Sequence, residues 1–485
     1  MRYKLTVAII LGAAQLCGAQ NALRDFESFR DSLFSGYHRY RQGILADYES
    51  FLRDTWHDYQ IFKAPDSNNI PKPDRQPSMP ENATMPDTQI PAPAPEQPPL
   101  PESQPERPDE PEALPNMPPL GVRMTSVDFF GTNINLPLID IHPISNTSNN
   151  NVANYWRDLN DNASAQSAID LLKNAIRKYD LNDWLAFKLA QAYAETLFPA
   201  RQASDTRIAI IQYLLCNIGY DIRLALYDDG LTLLMPFTTT IYARSYLELD
   251  GKRFSIFFDS ASAAKTITGT IQTYSLPYDK NTGYSFNPIF SQPPMLVEKP
   301  EDFRLSGAGI TITGKADANL REILSDYPQL PVVDYTKSEL QPELRNDIAR
   351  QLKMQVAEMD EMTAVNTLLH FVQKAFNYQT DDKQFGFEKP LFPEESILYK
   401  RNDCEDRAIF FGMLIRNVLN LECLLVEYPG HIGTAVCLSD SSATGTYYMV
   451  DGKKYFVADP TFEGADAGMC MPDFRNINPK VYRFD

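Results

Sequence analysis

The sequence carries no HExxH, no CxxC, no glycine-rich phosphate loop and no clustered acidic metal loop, so no metal and no cofactor is expected. Positive charge is scarce. The 45 Lys and Arg stand against 63 Asp and Glu, a net charge of −18 that argues against nucleic acid or an anionic membrane surface as partner. Beyond one short run near the N-terminus, no stretch of about 20 apolar residues exists, so no spanning helix is expected. Six cysteines and five histidines are few enough to be weighed one by one.

Arg2 and Lys4 precede an apolar run from Leu5 to Ala14, and the small residues Gly18 and Ala19 follow. This is the pattern of a signal peptide over residues 1–19, cleaved after Ala19, and it implies a periplasmic or extracellular protein, with an envelope-associated position as an extension of that reading. Lipidation at Cys17 is the rival, although Gln15 and Leu16 are poor neighbours for it. Without Cys17 five cysteines remain, an odd number, so at least one thiol is unpaired within the chain.

A length of 485 residues allows two or three domains. From Phe26 aromatics recur every 11 residues: Phe26, Tyr37, Tyr48 and Tyr59 in one phase, Phe29, Tyr40, Phe51 and Phe62 in a second, with Phe34, Leu45 and Trp56 in a third. That period predicts a near-straight stripe along an amphipathic helix or right-handed coiled coil over residues 20–63. A stripe of this kind must be buried, and self-association or docking on an envelope partner is the leading expectation. Folding back onto the catalytic domain is the alternative. Residues 64–119 hold half of the 36 prolines and almost no aromatics, a composition expected to form an extended spacer.

The residues that carry chemistry lie near the other end. Cys404 stands in Asn402-Asp403-Cys404-Glu405-Asp406-Arg407-Ala408; His431 follows 27 residues later and Asp459 a further 28. A thiol attacks as its thiolate, so it needs a base, and the imidazole needs a third group to set its tautomer. The apolar rhythm after Cys404 predicts a helix with Asn402 or Asp403 as N-cap, placing the thiol in the first turn, where the helix dipole favours a thiolate. Glu405 and Asp406 oppose that effect. Cys423–Glu427 and His431–Leu438 read as a hairpin turned by Tyr428-Pro429-Gly430, and Lys453–Pro460 as a third strand ending at Asp459. Cys423 and Cys437 flank this hairpin and either pair or stay free. His370 lies on an apolar helical face and reads as a packed histidine.

A cysteine helix on an antiparallel sheet that presents His and Asp from neighbouring strands resembles the transglutaminase-like superfamily, whose core is papain-like. The resemblance rests on Asp403–Ala408, Pro429-Gly430-His431, Val457–Thr461 and an upstream helix ending near Tyr378, and it covers roughly residues 340–475. It implies Cys404 as nucleophile, His431 as base and then acid, and Asp459 as the orienting carboxylate. Many members have Gly two residues before the cysteine and an aromatic after the histidine; this chain has Asn402 and Ile432-Gly433-Thr434. The amide of Cys404 is the one oxyanion donor the sequence offers.

At an offset of 200 the middle of the chain repeats the pattern. Thr206–Ile218 follows the apolar rhythm of Asp406–Val418, and, at an offset of 201, Asp250-Gly251-Lys252-Arg253-Phe254 parallels Asp451-Gly452-Lys453-Lys454-Tyr455. Cys404 falls on Ser204, and nothing near Leu231 replaces His431. Residues 261–340 read as a β-rich connection. The expected fold is α+β: a papain-like transglutaminase core over residues 301–485, preceded by a degenerate, non-catalytic copy over 120–300 and by the long N-terminal helix. A chance match of periodicities is the alternative to a true repeat. The function expected is peptide or amide hydrolysis on a peptide or protein substrate through a Cys404-His431-Asp459 triad and a thioester. Protein crosslinking, or a binding scaffold with a vestigial triad, are the competing readings.

Overall fold

The computed structural model describes residues 48–65, 72–97, 122–259, 266–276, 283–440 and 442–484. The expected signal segment and the first part of the aromatic repeat lie outside the described residues. The fold is α+β, organised by two six-stranded sheets. Their strands, in chain order, are β1 His57–Gln60, β2 Gln89–Pro91, β3 Arg223–Tyr227, β4 Gly230–Pro236, β5 Tyr246–Leu249, β6 Lys252–Phe257, β7 Thr270–Thr273, β8 Cys423–Tyr428, β9 His431–Cys437, β10 Gly445–Val450, β11 Lys453–Val457 and β12 Lys480–Arg483.

The first sheet runs β1-β7-β3-β4-β6-β5, antiparallel throughout. The second runs β12-β8-β9-β11-β10-β2, antiparallel except where β2 joins β10 in parallel. Removing β1 and β2 leaves the same strand order twice. Each half is preceded by a helix, Ser204–Ile218 or Cys404–Leu414. Every residue of Cys404–Leu414 is buried, which is why its sequence after the charged Glu405-Asp406-Arg407 is apolar all round rather than striped. Asp-Gly turns close β5–β6 and β10–β11, with Asp250 and Asp451 at φ +52° and +49°, before Gly251 and Gly452 at +76° and +77°. Positive φ at both central positions matches strand twist, and Asp-Gly supplies it at low cost.

The N-terminal helix is shorter than expected. Helix covers 48–53, and the chain then becomes β1 rather than continuing helical to Lys63. Backbone groups of 57–60 are satisfied by β7, with His57 opposite Thr273 and Gln60 opposite Thr270. The stripe is buried only in part, and inside this chain: Tyr48 stacks on Trp156 at 5.0 Å, and Leu52 and Trp56 join the core of the middle region, whereas Phe62 is exposed. Tyr48 and Trp56 are thus covered by the middle region rather than by the half that carries Cys404.

The proline-rich spacer also needs correction over 72–97. Gln89–Pro91 extends the second sheet as an edge strand, a place where proline's missing donor does no harm. Met79 N donates to Glu463 O (2.9 Å) and Glu463 N to Pro77 O (2.9 Å). Met79, Ala83 and Met85 pack against the buried Phe462, Ala465, Met469 and Met471. Three apolar side chains among the prolines are enough to hold the segment down.

Between the sheets, a hairpin of Pro300–Gly307 and Ile310–Asp317 supplies the expected β character, followed by helix Ala318–Ser325. The strand carrying Lys453 ends at Val457, so Asp459 lies two residues beyond it, and β10 and β12 are strands the sequence reading did not foresee. Among the described residues no helix is long and apolar enough to cross a membrane.

Candidate active site

Cys404 opens its helix directly after a two-residue strand, Arg401–Asn402, that pairs in parallel with Asn377–Tyr378. Asp403 is the N-cap, and its amide donates to Asp406 Oδ2 (3.3 Å), while Asp406 Oδ1 accepts from Leu391 N (2.7 Å). The next turn is anchored by Arg407, fully buried, which donates to Asn402 Oδ1 (3.0 Å) and Phe376 O (3.0 Å). The start of the helix is therefore pinned on three sides.

His431 is the first residue of β9, placed by the Pro429-Gly430 turn, with Gly430 at φ +72°. Its Nε2 lies 2.7 Å from Asp459 Oδ2. Oδ1 of the same carboxylate accepts from Thr461 N (2.9 Å) and Phe462 N (3.3 Å), and Gln373 Nε2 donates to three carbonyls of that loop, those of Asp459, Phe462 and Ala465. The acid is thus held from both ends. A side chain at 433 would put its Cβ 3.3 Å from Asp459 Oδ2, so Gly433 leaves room for the pair. Phe474 stacks on the imidazole at 5.1 Å with the rings 6° from parallel, and Tyr428 stacks on Phe474 in turn. With Nε2 engaged by Asp459, Nδ1 is the nitrogen left for a thiol.

Cys404 and His431 line one cavity of about 150 Å³, together with Lys72, Glu388, Glu405, Glu427 and Tyr482. The larger groove of about 460 Å³, bordered by Arg345, Arg350 and Lys353, has no thiol or imidazole. In the cavity the Cys404 thiol donates to Glu405 Oε2 (3.1 Å). Burial pushes the thiol well above its ordinary range, the Glu405 charge adds to this, and only Lys72 acts against it. Desolvation and the neighbouring carboxylate thus work against the thiolate that the helix start favours.

The acids form a network. Lys72 Nζ meets Glu388 Oε1 (2.6 Å), Asp403 Oδ2 (3.0 Å) and Glu405 Oε1. Burial works to raise the Glu405 carboxyl, yet the Lys72 charge carries it down to about 2. Burial and then Glu405 push Glu388 and Asp406 up to about 7, and burial and then Asp406 push Asp381 up to about 9. Within this network Asp403-Cys404-Glu405, Asp381-Asp403-Asp406 and Asp381-Glu388-Glu405 are close enough to hold a metal ion. Asp381 and Glu388 join the Asp403–Asp406 run from earlier in the chain in two of these sets, and the Lys72 ammonium sits among the Glu388, Asp403 and Glu405 oxygens.

The structure brings Cys404, His431 and Asp459 together, with His431 bonded to Asp459 and Cys404 bonded to Glu405. Sequence reasoning missed Lys72, Phe474, Gln373 and Tyr378. The Tyr378 hydroxyl is buried with no partner among the described residues, and burial, then the charge of Cys404, would raise it far above its ordinary range. His370 is half-exposed, its Nε2 2.9 Å from Asp466 Oδ1. Cys216, Cys423, Cys437 and Cys470 are free thiols. Cys423 sits opposite Val436, so Cys437, one residue on, faces the other side of the sheet and cannot pair with it. No protein-family model matches the chain, and no curated protein matches it.

Proposed function

We propose that this chain is an exported cysteine enzyme of the transglutaminase-like class with a papain-like core, acting on a peptide or protein substrate by acyl transfer. The observation that carries the reading is the His431–Asp459 bond at the edge of the cavity that Cys404 enters from a helix N-terminus. His431 Nδ1 takes the thiol proton; the thiolate attacks an amide carbonyl, and the imidazolium, oriented by Asp459, protonates the leaving amine. The oxyanion is met by the Cys404 amide, and the Tyr378 hydroxyl, buried near Cys404 but outside the residues that line the cavity, is the second donor this reading puts forward. The thioester passes to water, giving hydrolysis; an amine acceptor would give crosslinking.

One observation favours a different class. The thiol's bond to Glu405 and its raised pKa suit a binding protein with a closed, vestigial triad. Peptide-library turnover with Cys404→Ala as control separates the two, together with iodoacetamide labelling near neutral pH. An enzyme labels at Cys404 faster than at Cys423, Cys437 or Cys470 and loses all turnover in the variant; slower labelling at Cys404 and no turnover leave the scaffold.

A further inference from the structure

The carboxylates beside Cys404 already hold a cation, and the chain brings it from 331 residues away in sequence. Lys72 belongs to the segment 72–97, which is secured elsewhere: by β2 on β10, by the Met79–Glu463 bonds, by Gln76 Nε2 to Gln373 O (3.1 Å) and by Asp74 to Lys383 (2.7 Å). Those anchors need nothing at position 72. Its side chain nevertheless reaches into the cavity, where its ammonium lies against Glu388, Asp403 and Glu405. Asp403 is fully buried, gives one oxygen to Lys72 and leaves Oδ1 without a partner among the described residues. Glu405 touches both the ammonium and the thiol, so the cation is one carboxylate away from Sγ. Without a cation, three clustered acids would repel one another in a poorly solvated place.

We propose that Glu388, Asp403 and Glu405 form a subsite for an alkylammonium side chain of the substrate, and that Lys72 is its resident occupant, to be displaced when a ligand enters. The proposal deepens the reading of Cys404 as nucleophile and rests on it for the word substrate; the cation subsite itself does not depend on turnover. A lysine-like side chain in the subsite sets its own reactive carbonyl near Sγ. Segment 72–97 then acts as a competitor carried in cis.

The test uses the full chain with Lys72→Met and, as a second variant that keeps polarity, Lys72→Gln. Cys404 modification by methyl methanethiosulfonate is followed by mass, with n-butylammonium or n-butanol added. In either folded variant n-butylammonium protects Cys404 saturably, slowing modification at least about tenfold, while n-butanol does not and the wild type shows little protection. Peptides with lysine next to the reactive carbonyl gain about tenfold in kcat/KM over their norleucine analogues in the variants, and less in the wild type. Equal, unsaturable rates with and without n-butylammonium overturn the subsite, as does failure of both variants to fold, which would make Lys72 a structural counter-ion. Saturable protection without any turnover keeps the subsite and removes the enzyme; turnover without protection does the reverse.

Discussion

The two halves built on Ser204–Ile218 with β3–β7 and on Cys404–Leu414 with β8–β12 share strand order and Asp-Gly turns, yet they use one carboxylate in two ways. Asp259 lies two residues past β6 as Asp459 lies two past β11. Asp259 Oδ1 accepts from Arg207 Nε (2.8 Å), whose guanidinium also donates to Phe198 O and Ala200 O. Arg407, at the matching place in its helix, turns instead to Asn402 and backbone carbonyls, and Asp459 is left for His431. The middle hairpin has no histidine at its turn, Gly230 opening β4 as His431 opens β9, and there the acid is a structural counter-ion; where His431 stands, it orients an imidazole. A site on this scaffold needs the arginine to be satisfied by something else, and Asn402, whose Oδ1 accepts from Arg407 Nε, does that.

The sharpest way to break the comparison is to neutralise the two acids. Asp459→Asn should cut turnover by about 10⁴-fold through the wrong imidazole tautomer while leaving the melting temperature nearly unchanged. Asp259→Asn should do the opposite, costing about 3 kcal/mol of stability because it strands a buried guanidinium, with kcat/KM of the folded fraction intact. Steady-state kinetics and thermal unfolding on both variants decide the matter. Equal losses of activity would mean that the middle half contributes to the chemistry.

A smaller effect is expected at Tyr378, which has no counterpart in the middle half's site chemistry. Tyr378→Phe should lower kcat by about 10²-fold with KM little changed, as removal of a single oxyanion donor does. A change confined to KM would reassign the hydroxyl to substrate binding. Tyr378 also shows where sequence reading stops. Cys404, His431 and Asp459 were legible because each sits at an element boundary marked by its neighbours: the Asp403 cap, the Pro429-Gly430 turn, and Pro460 after the strand. The hydroxyl of Tyr378, the ring of Phe474 and the ammonium of Lys72 reach the site through tertiary packing, which no local pattern encodes. The same limit explains the N-terminal helix. Aromatics spaced by 11 suit a helix all the way to Lys63, and only the free edge of β7 decides that 57–60 becomes a strand. Proline content misled over 72–97, because Met79, Ala83, Met85 and β2 supply enough burial and pairing to order an otherwise extended segment.

The smallest effect is on pH, and it too should separate the halves, since among the described residues the close groupings of three or more acids, histidines or cysteines all lie around Lys72. Burial and neighbouring acids hold Asp406 and Glu388 near 7 and Asp381 near 9. These groups take up protons on folding that the unfolded chain, with carboxyls near 4, has released. Their contribution to stability is full below about pH 4 and is lost as pH rises through 7 to 9. Glu405, carried down to about 2 by Lys72 against its own burial, has the opposite sign, and its contribution is lost only as pH falls toward 2. Between pH 5 and 9 the first set governs, so thermal stability should fall with rising pH by on the order of 5 °C. Asp381→Asn, which removes a group pushed up to about 9, should flatten the upper part of that fall in thermal melts. A melting temperature that climbs from pH 5 to 9, or a fall that the variant leaves untouched, would mean that these acids stay ionised around Lys72.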